Sequence, residues 1–386
     1  MFENIFRFND IRGVYNEELD DSFAYKAARA IFKLLKCKKI IIGRDMRLSS
    51  LSLFNALSKG LTDSGSDVID IGLIDTPALY FASSLYKNPG IMITASHNPA
   101  EYNGIKTVRA NARPVDMNNG LDKIKEFIEE NNFSDSKRKG KIIRKDILKD
   151  YKKYILSLVN LSKINGLKIA IDAGNGMAGK IIPIIYDKLD LKIIPLYFKL
   201  DGKFPNHVPN PIIKENTKEL RRTVLEDKAD FGIAFDGDMD RVSFVDEKGR
   251  FVNTSFLGAL LAKYLLFKSK SGKIVYTSAC SRIVNDTILK YGGKSVRAKV
   301  GHAFMKEAMY KNNALFGIEH SGHYYYRDNY YADSALISSL LVLEIYSLAK
   351  KKGIKFSELF AEFKKYIQAD EVSVKLKDHV DIVKKI

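Results

Sequence analysis

Ile40-Ile41-Ile42 is an apolar run with no alternation, and Ile169-Ala170-Ile171 is another. Short runs of this kind read as strands buried on both faces. Each opens a unit of the same form: strand, glycine- or aspartate-rich loop, helix. "KKIIIGRDMRLSS" predicts a strand, a loop and a serine cap for a helix from about Leu51 to Asp63. "LKIAIDAGNGMAGKIIPIIYDKL" and "GKIVYTSACSRIVNDTILKYGG" repeat the pattern. Alternating βα units predict an α/β architecture. The polar stretch 131–141, the turn after "VDEKG" (245–249) and "IQADEV" (367–372) are candidate boundaries. They predict three similar mixed α/β domains, 1–148, 149–247 and 248–367, followed by a short remnant, 368–386.

Composition narrows the class. The 386 residues are 46% hydrophobic and 28% charged, as in ordinary globular chains, and the length suits two to four domains. Met1-Phe2-Glu3-Asn4 does not open a signal peptide. No apolar run reaches the ~18 residues of a membrane span. The most apolar helix, near Ala335 to Ala349, is interrupted by Ser338, Ser339 and Glu344. No membrane partner is expected. Cys37 and Cys280 are the only cysteines, with no metal-ligand spacing, which fits a reducing cytoplasm and no disulfide scaffold. The net charge of +17 is spread over helices such as "KIKEFIEE", with no long basic run or arginine–aromatic stripe. A nucleic-acid partner is therefore not expected.

Three stretches carry candidate chemistry. In "ITASHNPAEYNGIK" (93–106) a strand-like run ends in Thr94-Ala95-Ser96-His97-Asn98-Pro99, and Lys106 follows seven residues after the proline. Asn, Pro and Ser by themselves mark a polar turn. "FDGDMDRV" spaces Asp236, Asp238 and Asp240 two apart between apolar runs. Clustered carboxylates repel unless a cation holds them, and hard oxygens suit Mg²⁺ or Ca²⁺. The plainer alternative is an acidic β-turn without metal. Glu247 falls where an EF-hand loop ends, but Arg241 stands in the place of its glycine and the flanks read as strands. The aspartate loop is expected to face solvent in a cleft. "GIEHSGHYYYRDNYYADSA" gathers Glu319, His320, Ser321, His323, Arg327 and Asp333. Glu319, Ser321 and His323 alternate and could face one side of an extended loop, a donor and acceptor set suited to sugar hydroxyls. Gly174, Gly176 and Gly179 match G-x-G-x-x-G, with Asp201 a loose acidic partner. A dinucleotide site is the rival reading, and a tight structural turn the plain one.

Read together, the motifs are those of a known family. The chain resembles the α-D-phosphohexomutases of the phosphomannomutase/phosphoglucomutase branch. The resemblance runs in order through "FRFNDIRG" (6–13), "GRDMRLSS" (43–50), "TASHNP" (94–99), "NGIK" (103–106), "DAGNGMAG" (172–179), "DGKFPNHVPNP" (201–211), "DGDMDR" (236–241), "KVGHAF" (299–304) and "GIEHSGHYYYRD" (317–328). Five of the six histidines, His97, His207, His302, His320 and His323, lie in these motifs. The resemblance implies three α/β domains around a central cleft, and a phosphoserine at Ser96 that passes its phosphoryl group to a hexose monophosphate. A hexose 1,6-bisphosphate forms and returns its other phosphate. It implies Mg²⁺ held by Ser96, Asp236, Asp238 and Asp240, and glucose 1,6-bisphosphate or an equivalent as activating donor. Arg12 and Lys106 become acid/base candidates, with His97 a positioning group and Arg241 a catalytic cation. Glu319, Ser321, His323 and Arg327 match the sugar-selecting loop, and Lys299 and His302 a loop facing the substrate. The substrates implied are mannose or glucose phosphates, with glucosamine phosphate the runner-up and a non-catalytic sugar-phosphate binder the alternative of another class. The glycines of 174 to 179 then become a structural turn.

Three departures stand out. Asn9 precedes Asp10 where the family often has tyrosine. In "YTSACSR", Ala279 replaces a basic residue, with Arg282 three positions on. The family's fourth domain carries a loop that grips the distal phosphate. "DEVSVKLKDHVDIVKKI" (370–386) resembles only its first strand and helix. The expectation is a truncated fourth α+β domain, an apolar patch near 370–386, weak turnover by these residues alone, and a separately encoded C-terminal domain as a possible partner.

Overall fold

The computed structural model describes residues 4–366. The expected terminal remnant and its apolar patch lie outside them. The described residues form three sheets flanked by helices.

The first sheet is built on Lys39–Arg44, whose isoleucines are fully buried, between Gly90–Ile93 and Asp67–Leu73. Those neighbours are parallel. Tyr102–Arg109 then returns antiparallel to Gly90–Ile93, and Ile11–Val14 pairs antiparallel beyond it. Ile142–Arg144 closes the far edge against Asp67–Leu73. The helix expected from about Leu51 runs Ser50–Asp63. Ser49 does not cap it: its backbone is helical, and its hydroxyl accepts from Asn103 Nδ2 instead.

The second sheet sets Asn165–Asp172 parallel between Asp190–Leu196 and Phe231–Phe235, with Val242–Asp246 antiparallel at the edge. The third orders Lys294–Ala298, Lys273–Thr277, Phe316–Ile318, Tyr324–Tyr326 and Ala332–Asp333, the first three parallel. Helix Ala335–Lys350 packs in the shared core, and the polar residues that interrupt its apolar pattern are buried but partnered. Ser338 meets the Tyr326 hydroxyl, Ser339 the Tyr186 hydroxyl, and Glu344 accepts from Tyr264. Buried polar groups persist where such partners exist. Among the described residues no helix is long and apolar enough to cross a membrane.

The G-x-G-x-x-G turn is structural. A Cβ on Gly176 would lie 2.8 Å from Gly237 backbone atoms. The Asn175 and Met177 N–H groups are taken by the Tyr197 and Gly237 carbonyls. A phosphate cradle needs free N–H groups at the helix start, and here these two are spent on the backbone after strand Asp190–Leu196 and on the aspartate loop.

Candidate active site

The serine loop follows the buried strand Gly90–Ile93. Ser96 has φ +51 and is 1% exposed, a left-handed conformation that the surroundings must hold in place. Arg47 supplies much of that hold. Its buried guanidinium donates to the carbonyls of Ser96, Asn98, Pro99 and Tyr102 at 2.6–2.9 Å, and pairs with buried Asp45. The Ser96 N–H donates to Thr94 Oγ1 at 2.8 Å.

The aspartate loop turns between Phe231–Phe235 and Val242–Asp246 and meets the serine loop backbone to backbone. A Cβ on Gly237 would lie 2.5 Å from the Ser96 carbonyl oxygen, so only glycine allows this approach. The Ser96 hydroxyl donates to Asp236 Oδ2 at 2.8 Å, while Asp236 Oδ1 accepts from the Asp240 and Arg241 N–H groups. Contrary to the sequence reading, the loop does not face solvent: Asp236 and Asp238 are 0% exposed. The Thr76 N–H and hydroxyl, at the start of helix Thr76–Leu85, donate to the Asp238 carbonyl and to Asp238 Oδ2.

Arg12 and Lys106 come from adjacent strands. Arg12 lies opposite Gly104, so alternation puts Lys106 on the same face. Lys106 Nζ donates to Asp238 Oδ2 at 2.8 Å and Asp240 Oδ2 at 2.7 Å. Burial opposes its charge, but the two carboxylates outweigh that and hold it protonated. Burial likewise works against ionised Asp240, and Lys106 overrides it to hold the carboxyl below its ordinary range. Asp236 goes the other way, raised by burial and by the charges of Asp240 and Asp238. Arg12 donates to Asn98 Oδ1 and pairs with Asp10. His97 Nδ1 lies 3.3 Å from Ser96 Oγ, and burial, with Arg241 and Arg12, pushes its imidazole down to about 2. It is neutral at neutral pH.

Two oxygens of the triplet, Asp238 Oδ1 and Asp240 Oδ1, are buried without a hydrogen-bond partner, and all three carboxylates reach a common point. An orphaned buried carboxylate oxygen is costly. These are hard ligands of the kind Mg²⁺ takes, so the residues fit a divalent cation.

Across the cleft, the backbone of His323 bridges that of Arg241, joining the sugar loop to the aspartate loop. The segment expected to be extended is a reverse turn: the Gly322 N–H donates to the Glu319 carbonyl at 3.2 Å. Glu319, Ser321 and His323 nevertheless all line one cavity of about 260 Å³ with Ser96, Arg12, Lys106, Arg241 and His302. Arg241 Nε donates to His323 Nε2 at 2.9 Å, and His323 Nδ1 donates to Asp333 Oδ2 at 2.8 Å. Glu319 is fixed by the Tyr325 hydroxyl.

Not every expected residue arrives. Arg327 is carried away: Tyr324–Tyr326 runs back antiparallel, so Arg327 emerges beside Leu315 at the far end of the sheet, in a different cavity. Lys299 is exposed over the Phe304 ring, next to cleft-lining Val300 and Gly301. Arg282 is 76% exposed near Asp286 and does not line the cleft. Asn9 does line it, and accepts from the Ala303 N–H. The sequence reading passed over Arg47, Thr76 and Tyr80, and named Asp333 without giving it a role.

Asp75, just before Thr76, offers a test of the buried electrostatics. It is fully buried, accepts from the Tyr151 hydroxyl through Oδ2, and leaves Oδ1 unpartnered. Burial raises its carboxyl to about 7. Between about 4 and about 7 the unfolded chain releases this proton while the folded chain keeps it, so stability falls as pH rises. Asp75→Asn should therefore stabilise the fold more at pH 8 than at pH 5, by on the order of 2 kcal/mol, seen as a larger rise in melting temperature at pH 8. Calorimetry at the two pH values checks it, and an equal change at both rules it out.

Three α/β domains converging on a serine, three carboxylates and a cationic wall define a phosphoryl-transfer enzyme of the sugar-phosphate class. Residues 3–135, 149–249 and 253–366 match the alpha/beta/alpha domains I, II and III of phosphoglucomutase/phosphomannomutase. The phosphomannomutase of Vibrio cholerae serotype O1 is 40% identical over 355 residues, 89% of this chain and 77% of that protein. That of Escherichia coli K12 is 38% identical over 390 residues, 99% of this chain and 85% of that protein. A solved phosphoglucomutase/phosphomannomutase family protein from Burkholderia thailandensis superposes with a TM-score of 0.85 at 29% identity, covering 95% of this chain and 80% of that one. The chain belongs to the phosphoglucomutase/phosphomannomutase family. It is an enzyme of the phosphohexomutase type, acting on hexose phosphates.

Proposed function

We propose that the chain interconverts the 1- and 6-phosphates of mannose or glucose through phosphoserine at Ser96 and a hexose 1,6-bisphosphate. The observation that carries this is Ser96 Oγ, 2.8 Å from Asp236 Oδ2, at the floor of a cavity walled by Arg12, Lys106 and Arg241. In the first half-reaction a sugar hydroxyl attacks the phosphorus. The new P–O bond forms as the Ser96 O–P bond breaks, and the hydroxyl proton leaves to a base. The second half-reaction reverses this with the other phosphate. Arg12 and Arg241 offer planar forks to phosphate oxygens. Lys106, held charged, can donate a proton or stabilise an anionic oxygen. Neutral His97 orients the serine.

Asp236, Asp238, Asp240 and Ser96 would hold Mg²⁺, which would neutralise phosphate charge during transfer. Glucose 1,6-bisphosphate would supply the first phosphoryl group. Glu319, Ser321 and His323 would read the sugar, with His302 beside them. A cytoplasmic location suits this reading, and both described cysteines are free thiols.

The test is kcat/KM for mannose, glucose and glucosamine 1-phosphates on this chain. Glu319 is a carboxylate, so discrimination between a 2-hydroxyl and a 2-ammonium should be set near it. Preference for mannose or glucose phosphate is expected. A clear preference for glucosamine phosphate would overturn the substrate assignment, and binding of all three without turnover would make the chain a sugar-phosphate binder.

A further inference from the structure

Lys306 is a buried cation behind the cleft, on the side of the neighbouring cavity lined by Arg113 and Tyr310, and the reaction above gives it no task. It is 4% exposed and its ammonium has no hydrogen-bond partner. It stands 3.8 Å from Asp333 Oδ1 and 3.6 Å from the centre of the Tyr80 ring. It lies one turn after His302 on helix His302–Asn312, so the two side chains share a face. Asp333 is fully buried between two imidazoles: His302 Nε2 lies 3.0 Å from Oδ1 and His323 Nδ1 2.8 Å from Oδ2. Two neutral imidazoles leave that carboxylate without a counter-charge, which a buried ion needs. Either an imidazole takes up a proton or Lys306 supplies the charge.

We propose that Lys306 is a positioning residue, the counter-ion of Asp333, which keeps His302 neutral with its Nε2–H fixed on Asp333. His302 then presents Nδ1 as an acceptor in a cleft where, on the mutase reading, sugar hydroxyls must be oriented. The charged and titratable groups around His302 are Tyr80 from helix Thr76–Leu85, Asp333 from its strand, His323 and Tyr325 from the neighbouring loop and strand, and Lys306. Burial and Lys306 disfavour the imidazolium, while Asp333 favours it. Removing the ammonium leaves Asp333 to act alone, so the proton affinity of His302 rises.

The experiment is a ¹³C/¹⁵N-histidine NMR titration of the chain without substrate, with the His302 signals assigned through His302→Gln. Lys306→Met should move the His302 titration up by at least one pH unit, about tenfold in proton affinity. It should also move the acid limb of the kcat/KM profile up by the same step, a loss of about tenfold along that limb. Lys306→Arg keeps the charge and should leave the titration in place. If both variants melt lower while His302 titrates as in the parent, Lys306 only packs, and the proposal is wrong. If Lys306→Met does not fold, the parent decides. Burial lowers Lys306 to about 8, so the His302 signals should show an inflection there, and its absence overturns the assignment. The titration needs no turnover, so a failed mutase reading and a failed counter-ion role are distinguishable.

Discussion

Ser96→Ala should take up no phosphoryl group from glucose 1,6-bisphosphate and should lose at least about 10³ in turnover, roughly 4 kcal/mol of transition-state stabilisation. The parent chain should gain about 80 Da in intact mass, one phosphoryl group. The serine is singled out by geometry, since its Oγ both lines the cleft and reaches the carboxylate cluster. The nearest rival is Thr76, whose hydroxyl donates to Asp238 Oδ2 at 2.6 Å. Thr76 is fully buried and does not line the cleft, so substrate does not reach it. Thr76→Val should accordingly keep the mass increment. Alanine at position 96 bears the same positive φ as serine, so the variant should fold, and its melting temperature separates lost chemistry from lost structure. Retention of more than a tenth of the rate, or a mass gain in Ser96→Ala, would sink the phosphoserine.

The sequence carried the strands because their burial is two-sided: Ile40–Ile42 and Ile169–Ile171 have no alternation to misread, and they are fully buried or nearly so. It also carried the chemistry that lies on short contiguous loops, the serine turn and the aspartate triplet. What it could not carry were single residues whose partners are far along the chain. Thr76 meets Asp238 across 162 positions, and Arg47 reaches four carbonyls about 50 positions away. No spacing rule encodes such contacts. Asp333 had one local signal, since it precedes Ser334, which caps helix Ala335–Lys350. A carboxylate held at a capped helix start has a fixed direction, and this one is aimed at two histidines. Arg327 failed for the opposite reason. It sits near the motif in sequence, but Tyr324–Tyr326 is only three residues long and runs away from the cleft. Proximity in sequence placed it at the site, and strand direction removed it. The exposure of the aspartate loop was misjudged because charge density suggests solvent, whereas Lys106, Thr76 and Ser96 compensate these carboxylates inside the protein.

Removing divalent metal should cost more than any single contact to the sugar. Exhaustive treatment with EDTA should lower turnover by at least about 10², near 2.7 kcal/mol, because three carboxylates and a phosphoserine would otherwise crowd their charge into one buried site. The ligand set can be tested without turnover. Mg²⁺ at about 100 times its dissociation constant should stabilise the parent by about 2.7 kcal/mol, seen as a rise in melting temperature. Asp238→Asn should abolish that rise. Asp238 Oδ2 already serves Lys106 and Thr76, so the asparagine oxygen would take this position, and its NH₂ would replace the unpartnered Oδ1. A donor group facing a cation repels it. Without Mg²⁺ the variant should melt close to the parent for two reasons. Asp240 Oδ2, 2.7 Å from Lys106, keeps that ammonium paired, and one charge fewer eases the repulsion within the triplet. A melting temperature that climbs with Mg²⁺ in Asp238→Asn as it does in the parent would remove this carboxylate from the ligand set. Full turnover after EDTA would remove the metal from the reaction.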